Sequence, residues 1–384
     1  MVKTTIRSFQ YRDLFAIVRN LAEIEHKSDL KDLGRQLEQL NNWYGLLKFL
    51  TLFPNPWQDY FKAYIAEESG RPIGLIQIEP ENISRSTWRV KQVLTIGTSC
   101  LDTGSQLLRY CFEAIWEART WILEVNIEQK DVLALYRQNG FQPIAHLTHW
   151  SLSPAVLDSL AQKSGELVNL MPVSNADAQL LYQLDCVSMP PLLRQVFDRH
   201  VQDFKKRVFN RAILQTGNWW NNRDFKEAYV FEPQRKAAIA YFNLEIFRDG
   251  SRPHQLHLTV HPAYTWLYGP ILVKIAQIIQ GYSSVMPLEM VSADYQPERE
   301  ECLEQLTAER IEHTLLMSRS VWHKLREIKQ EGLQLSDVLQ GLKSAPGSPI
   351  PNRFSTFSQA SQNLPMEKLE NPQRNNTDNS SQRN

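Results

Sequence analysis

Residues 120–149 read TWILEVNIEQKDVLALYRQNGFQPIAHLTH. Trp121 to Val125 is a β-rich apolar run of strand length that ends in polar residues. From Gln129 to Gln138, Val132, Leu135 and Tyr136 recur at helical spacing, and Leu133 widens the stripe. Asn139-Gly140 stops this helix, because glycine accepts the left-handed conformation at a helix C-terminus. Phe141 to Trp150 returns as a strand, with Ile144, Leu147 and Trp150 apolar. The stretch therefore predicts a strand, a short helix and a second strand.

Upstream, Thr4 to Phe9 reads as a first strand. Tyr11-Arg12-Asp13 then opens a helix with Leu14, Ile17, Val18 and Leu21 on one face, and a second helical stretch, Leu30 to Leu52, ends at Pro54 and Pro56. Tyr64 to Glu67 and Ile73 to Glu79 form a hairpin across Ser69-Gly70-Arg71-Pro72. Trp88 to Ile96 is a long strand, and Gly104 to Trp116 an amphipathic helix with Leu107, Leu108, Cys111, Phe112 and Ile115 inward. This order, with the segment LYRQNGF at its end, resembles the GNAT superfamily of acyl-CoA-dependent N-acyltransferases.

The second half repeats the order. Asn169 to Val173 is a strand, and PVSNADAQLLYQLD follows it as SFQYRDLFAIVRNLA follows the first one. Tyr229 to Glu232 and Ala237 to Phe247 make a hairpin, His254 to His261 an alternating strand, and Gly269 to Gln280 a helix. A strand at Leu288 to Ser292, a helix at Arg299 to Thr307 and a strand at Thr314 to Trp322 complete a structural repeat. The fold class expected is α+β: two tandem GNAT-like domains, each a mixed, mostly antiparallel sheet flanked by helices. The boundaries are 1–152 for the N-terminal domain, 153–166 for a linker helix and 167–328 for the second domain. Residues 329–384 are read as a helical extension and then a Ser, Asn, Gln and Pro-rich tail, disordered because it buries too little apolar surface to offset its ordering entropy.

Lys plus Arg equals Asp plus Glu at 42 each, so the chain has no net charge and gives no argument for a nucleic-acid partner. None of the four cysteines forms a CxxC pair or fits a zinc spacing, which suits buried thiols in a reducing compartment. The polar N-terminus does not resemble a signal peptide, and no apolar run approaches the roughly 20 residues of a membrane helix. A cytoplasmic protein without a membrane partner is expected.

The resemblance implies direct attack of an amine on bound acetyl-CoA. Tyr136, in LYRQNGF, falls where the superfamily often has the acid that protonates the leaving thiolate. A tyrosine packing its ring on the sheet is the structural alternative. The backbone of Leu94, Thr95 and Ile96 would face the thioester, Thr103, Gly104 and Ser105 the pyrophosphate, and Gln129 stands where an asparagine often contacts the cosubstrate. Gly104 matches the phosphate-loop pattern. Ser99 replaces a basic or amide residue, and Asp102 replaces a glycine. A carboxylate about 5 Å from a phosphate costs roughly 1–3 kcal/mol at intermediate dielectric. The strand-four base is missing: Arg89, Lys91 and Gln92 stand on that strand, leaving Glu79 on its neighbour as the candidate.

In the second half the phosphate-loop pattern is degraded, with Thr265 at an arginine and Tyr268 and Pro270 at glycines, and Leu303 falls where a tyrosine would. His257 and His261 share a strand face as a possible base, but no third ligand makes them a metal site. This half is read as a structural or substrate-shaping partner. Trp219-Trp220 is read as a loop that plugs a domain interface or serves as a recognition surface. Two functions follow: an N-acetyltransferase acting on an amine-bearing small molecule or protein, or an inactive regulatory module of the same fold that retains CoA structurally.

Overall fold

The computed structural model describes residues 4–10, 13, 62–95, 100–163, 167–205, 223–282 and 286–321. The helices expected over 14–52, Ile96, Ser99, the Trp219-Trp220 loop and the tail lie outside these residues.

The first half contains β1 (Thr5–Ser8), β2 (Lys62–Glu68), β3 (Arg71–Pro80), β4 (Thr87–Thr95), α1 (Cys100–Ala114), β5 (Thr120–Asn126), α2 (Lys130–Gln138) and β6 (Gln142–Leu152). After α3 (Pro154–Ala161), the second half contains β7 (Leu170–Pro172), α4 (Ala178–Ser188), α5 (Pro191–Phe197), β8 (Arg223–Glu232), β9 (Ala237–Phe247), β10 (His254–Val260), α6 (Tyr268–Gln280), β11 (Leu288–Ala293), α7 (Pro297–Gln305) and β12 (Glu309–Ser320). Among the described residues, the predicted strands and the helices after β4 occur in the expected order.

One boundary moves in a way that matters. The helix read from Gly104 begins at Cys100, so Thr103, Gly104 and Ser105 lie inside α1. The helix read as a linker is packed: Leu157 and Leu160 are buried in the second-half core, because they fall on one face of α3 behind the Ser153 N-cap.

Among the described residues, the strands form one twelve-stranded sheet in the order β1-β2-β3-β4-β5-β12-β6-β11-β10-β9-β8-β7. Among the described strands, only β4–β5 and β10–β11 run parallel. The final strand of each half has exchanged places. β12 lies between β5 and β6, and β6 lies between β12 and β11. Leu315 and Met317 of β12 therefore complete the first-half core with Trp88, Trp121 and Phe112. Trp150 and Leu152 of β6 complete the second-half core with Ile271 and Ile275 of α6. Fusing the half-sheets also pairs strands that would otherwise present open edges.

On the other face, Leu193, Val196 and Phe197 of α5 pack on Ile122, Ala145 and Leu316. The C-terminus of α5 is tied to the β3–β4 turn. Asn82 Nδ2 donates to the carbonyls of Phe197 and Asp198 at 3.0 and 2.9 Å, and Thr87 Oγ1 donates to that of Val196 at 2.8 Å. Among the described residues, no helix is long and apolar enough to cross a membrane.

Candidate active site

Strands β4 and β5 pair from Thr87↔Thr120 to Val90↔Leu123 and then part, although β4 continues to Thr95 and β5 to Asn126. Leu94 and Thr95 remain paired to Leu75 and Gly74 of β3. Their other flank faces the split. A bulge in the β3–β4 ladder between the Gln77 and Ile78 pairings accompanies the divergence. Gln92, on this free part of β4, has a buried Nε2 without a hydrogen-bond partner among the described residues. An extended ligand with amide groups fits such a split, which offers it a strand flank.

Tyr136 lies in α2, buried with Val90, Leu123 and Val125, the residues around the point of parting. Its ring meets Phe141 edge-on at 5.8 Å. Burial pushes the phenol well above its ordinary range, so it is protonated at neutral pH. Among the described residues its hydroxyl makes no hydrogen bond. Gln129 precedes α2 as its N-cap residue.

The residues expected at the pyrophosphate are engaged within the fold. The Thr103 methyl lies against Gly74: a Cβ on that glycine would meet Thr103 Cγ2 at 2.8 Å. Gly104 gives Leu135 room, since a Cβ there would meet Leu135 Cδ2 at 2.7 Å. Ser105 Oγ accepts from Asn139 Nδ2 at 2.8 Å. Asp102 is exposed in the first turn of α1.

Glu79, read as a possible base, is paired with Lys91 at 3.1 Å. A stronger candidate was not legible in the sequence. Glu124 is the first β5 residue beyond the last β4 pair, and it points to the face opposite Leu123 and Val125. Its Oε1 lies 2.6 Å from His149 Nε2 on β6 and accepts from Thr314 Oγ1 on β12 at 2.6 Å. The histidine and threonine hold the Glu124 carboxyl below its usual range against the opposing effect of burial. Glu124, Glu312 and Glu289 raise the His149 imidazole despite burial. The pair is therefore an ion pair beside the split. Glu124 is an ordinary strand-end glutamate in sequence, and Thr314 reaches it only through the strand exchange.

The second-half split is built differently. β10 and β11 pair from His254↔Leu288 to Leu256↔Met290 and then part. Arg299 of α7 bridges the gap, donating to the Leu258 carbonyl of β10 at 2.5 Å and the Val291 carbonyl of β11 at 2.8 Å. Its guanidinium also lies over the Tyr268 ring, at 5.4 Å, at the start of α6. Leu303 is fully buried where Tyr136 stands in the first half. His261 accepts from the Ala263 N–H and caps the 3₁₀ turn that follows it, while His257 faces a cavity. Among the described residues, no three His, Cys, Asp or Glu side chains group to hold a metal ion.

Two repeats of split-sheet architecture fused into one sheet define a tandem GNAT fold. A search of solved structures agrees: the chain is similar to a tandem GNAT protein from the clavulanic acid biosynthesis pathway, with 13% identity, a TM-score of 0.52, and 83% of this chain and 98% of that one covered. A GCN5-related N-acetyltransferase from Sphaerobacter thermophilus is also similar, at 12% identity and a TM-score of 0.48, over 83% of this chain and 95% of that one. No protein-family profile and no curated protein matches the chain.

Proposed function

We propose that the first half transfers an acyl group, acetyl in the simplest case, from acyl-CoA to an amine. The observation that carries this reading is the parting of β4 and β5 after Val90 and Leu123, with a protonated phenol on one face of the sheet and a carboxylate on the other. The β5-facing flank of Leu94 and Thr95 would hold the pantetheine arm. Glu124 would take a proton from the incoming ammonium, giving a neutral amine. The nitrogen then forms its bond to the thioester carbon as the C–S bond breaks, Tyr136 gives its proton to the departing thiolate, and the resulting phenolate takes the extra proton from the acylated nitrogen, leaving a neutral amide. Arg299 blocks the equivalent gap in the second half, so one active site per chain is the reading. A cytoplasmic location suits this chemistry.

Asp102 and the engaged Thr103 and Ser105 side chains favour a second reading, a regulatory protein of this fold that binds CoA weakly or not at all. Calorimetric titration with acetyl-CoA separates the two. The first reading predicts saturable binding that Tyr136→Phe leaves intact while slowing turnover; absence of heat and of a thermal shift at millimolar acetyl-CoA would end it.

A further inference from the structure

The second split opens into a cavity of about 290 Å³ on the face covered by α4. It has room for a small organic molecule. Leu181 and Leu184 of α4 and Val291 of β11 give it apolar walls. Arg199, Arg299 and Asp185 give it charge: two guanidiniums against one carboxylate.

The two arginines are in different states. Arg199 spans the halves, reaching Asp185 at 3.1 Å and Glu81 of β3–β4 at 3.0 Å. Arg299 is 5% exposed, yet its partners among the described residues are neutral: two backbone carbonyls and the Tyr268 ring. Its Nε is buried without a hydrogen-bond partner, and among the described residues no carboxylate pairs with it. A buried cation with no counter-charge is costly, and an anion nearby relieves that cost. His257, also on the wall, adds no charge at neutral pH, because burial and Arg199 hold its imidazole below the usual value against the pull of Glu245.

We propose that this cavity binds a small organic carboxylate, its charged end toward Arg199 and Arg299 and its body against Leu181, Leu184 and Val291, and that occupancy is transmitted to the first half through Arg199. The path is short. Glu81, held by Arg199, is also bonded to Arg89 of β4 at 2.8 Å, and Val90 next to Arg89 is the last residue paired before the first split. An amine is the poorer occupant, since it would add a third cation around one carboxylate that Arg199 already engages. The site does not depend on acyl transfer in the first half.

The test uses the full chain with sodium butyrate as probe and n-butylammonium chloride as its cationic counterpart, at equal ionic strength and neutral pH. Calorimetry should give saturable heat with butyrate and none with butylammonium. Leu181→Trp, which fills the cavity, should weaken butyrate binding by about tenfold or more, with circular dichroism unchanged. Hydrogen exchange followed by mass spectrometry locates the site without any variant: butyrate should slow exchange over 256–260 and, through Arg199, over 80–87. Glu81→Gln should keep the first protection and lose the second. Absence of saturable butyrate binding, equal binding of butylammonium, unchanged affinity in a folded Leu181→Trp protein, or protection confined to 91–95 would each overturn the proposal.

Discussion

Glu124 Oε1 and His149 Nε2 lie 2.6 Å apart, although β12, which belongs to the other half of the chain, runs between their strands. Thr314 of that intervening strand donates to the same carboxylate oxygen. The pair exists in this form because the last strands of the two halves have changed places. A site beside the first split is thus assembled from both halves.

The pair should leave a signature in the pH dependence of stability. His149 is raised, so its contribution is complete below the ordinary imidazole value of about 6.5 and is lost as pH rises through its folded value. Glu124 is lowered, so its contribution is complete above the ordinary carboxyl value of about 4.3 and is lost as pH falls through its folded value. Thermal unfolding of wild type and His149→Asn should differ most between those limits, by on the order of 1 kcal/mol for a partly exposed pair, and converge on either side. A difference that is flat with pH would remove the ion pair from the account.

If Glu124 is the base, Glu124→Gln should lower kcat for acetyl transfer by about 10²–10⁴-fold with KM for acetyl-CoA little changed. The acid limb of the kcat/KM profile should disappear with it. Retained kcat would assign the pair a purely structural role.

The contact between Gly74 and Thr103 sets how closely α1 approaches β3. Gly74→Ala places a methyl 2.8 Å from Thr103 Cγ2 and 3.2 Å from the Leu94 carbonyl oxygen. Overpacking here should cost about 1–3 kcal/mol in denaturant unfolding. Thr103→Ser removes the nearer obstacle, so the double variant should recover part of that loss. Strict additivity of the two changes would show that the methyl groups do not meet.

The exchanged strands make the halves mutually dependent. Met317, fully buried in the first-half core, comes from β12, so Met317→Ala should cost about 2–5 kcal/mol and destabilise residues of both halves together. Chains ending at residue 163 or beginning at 167 should fail to fold alone and should form a complex when coexpressed. Two separate thermal transitions in the intact protein would contradict this coupling.

Asp102 offers a check on cosubstrate affinity. Removing its charge from the first turn of α1 with Asp102→Asn should strengthen acetyl-CoA binding by about fivefold or more, since a like charge there costs roughly 1 kcal/mol or above. Unchanged affinity would place the phosphates elsewhere.

Much of the architecture was legible because its signals are local. The stripe of Val132, Leu133, Leu135 and Tyr136 and the stop at Asn139-Gly140 define α2 without reference to any other segment. The alternation in β10 and the repeated element order marked a second half like the first. Even here, the start of α1 was misplaced: glycine at 104 reads as a helix opening, while the structure uses it inside the helix to make room for Leu135.

Amino-acid order alone determined which segments are strands and helices, that they recur twice, and where a buried tyrosine stands in α2. Tertiary structure alone decided that β12 sits beside β5, that Glu124 meets His149 and Thr314, and that Arg299 spans the second split. The reason is the range of the forces involved. Periodicity and capping act within a few residues, whereas Glu124 and Thr314 are separated by 190 positions and meet only after both cores have closed around the exchanged strands.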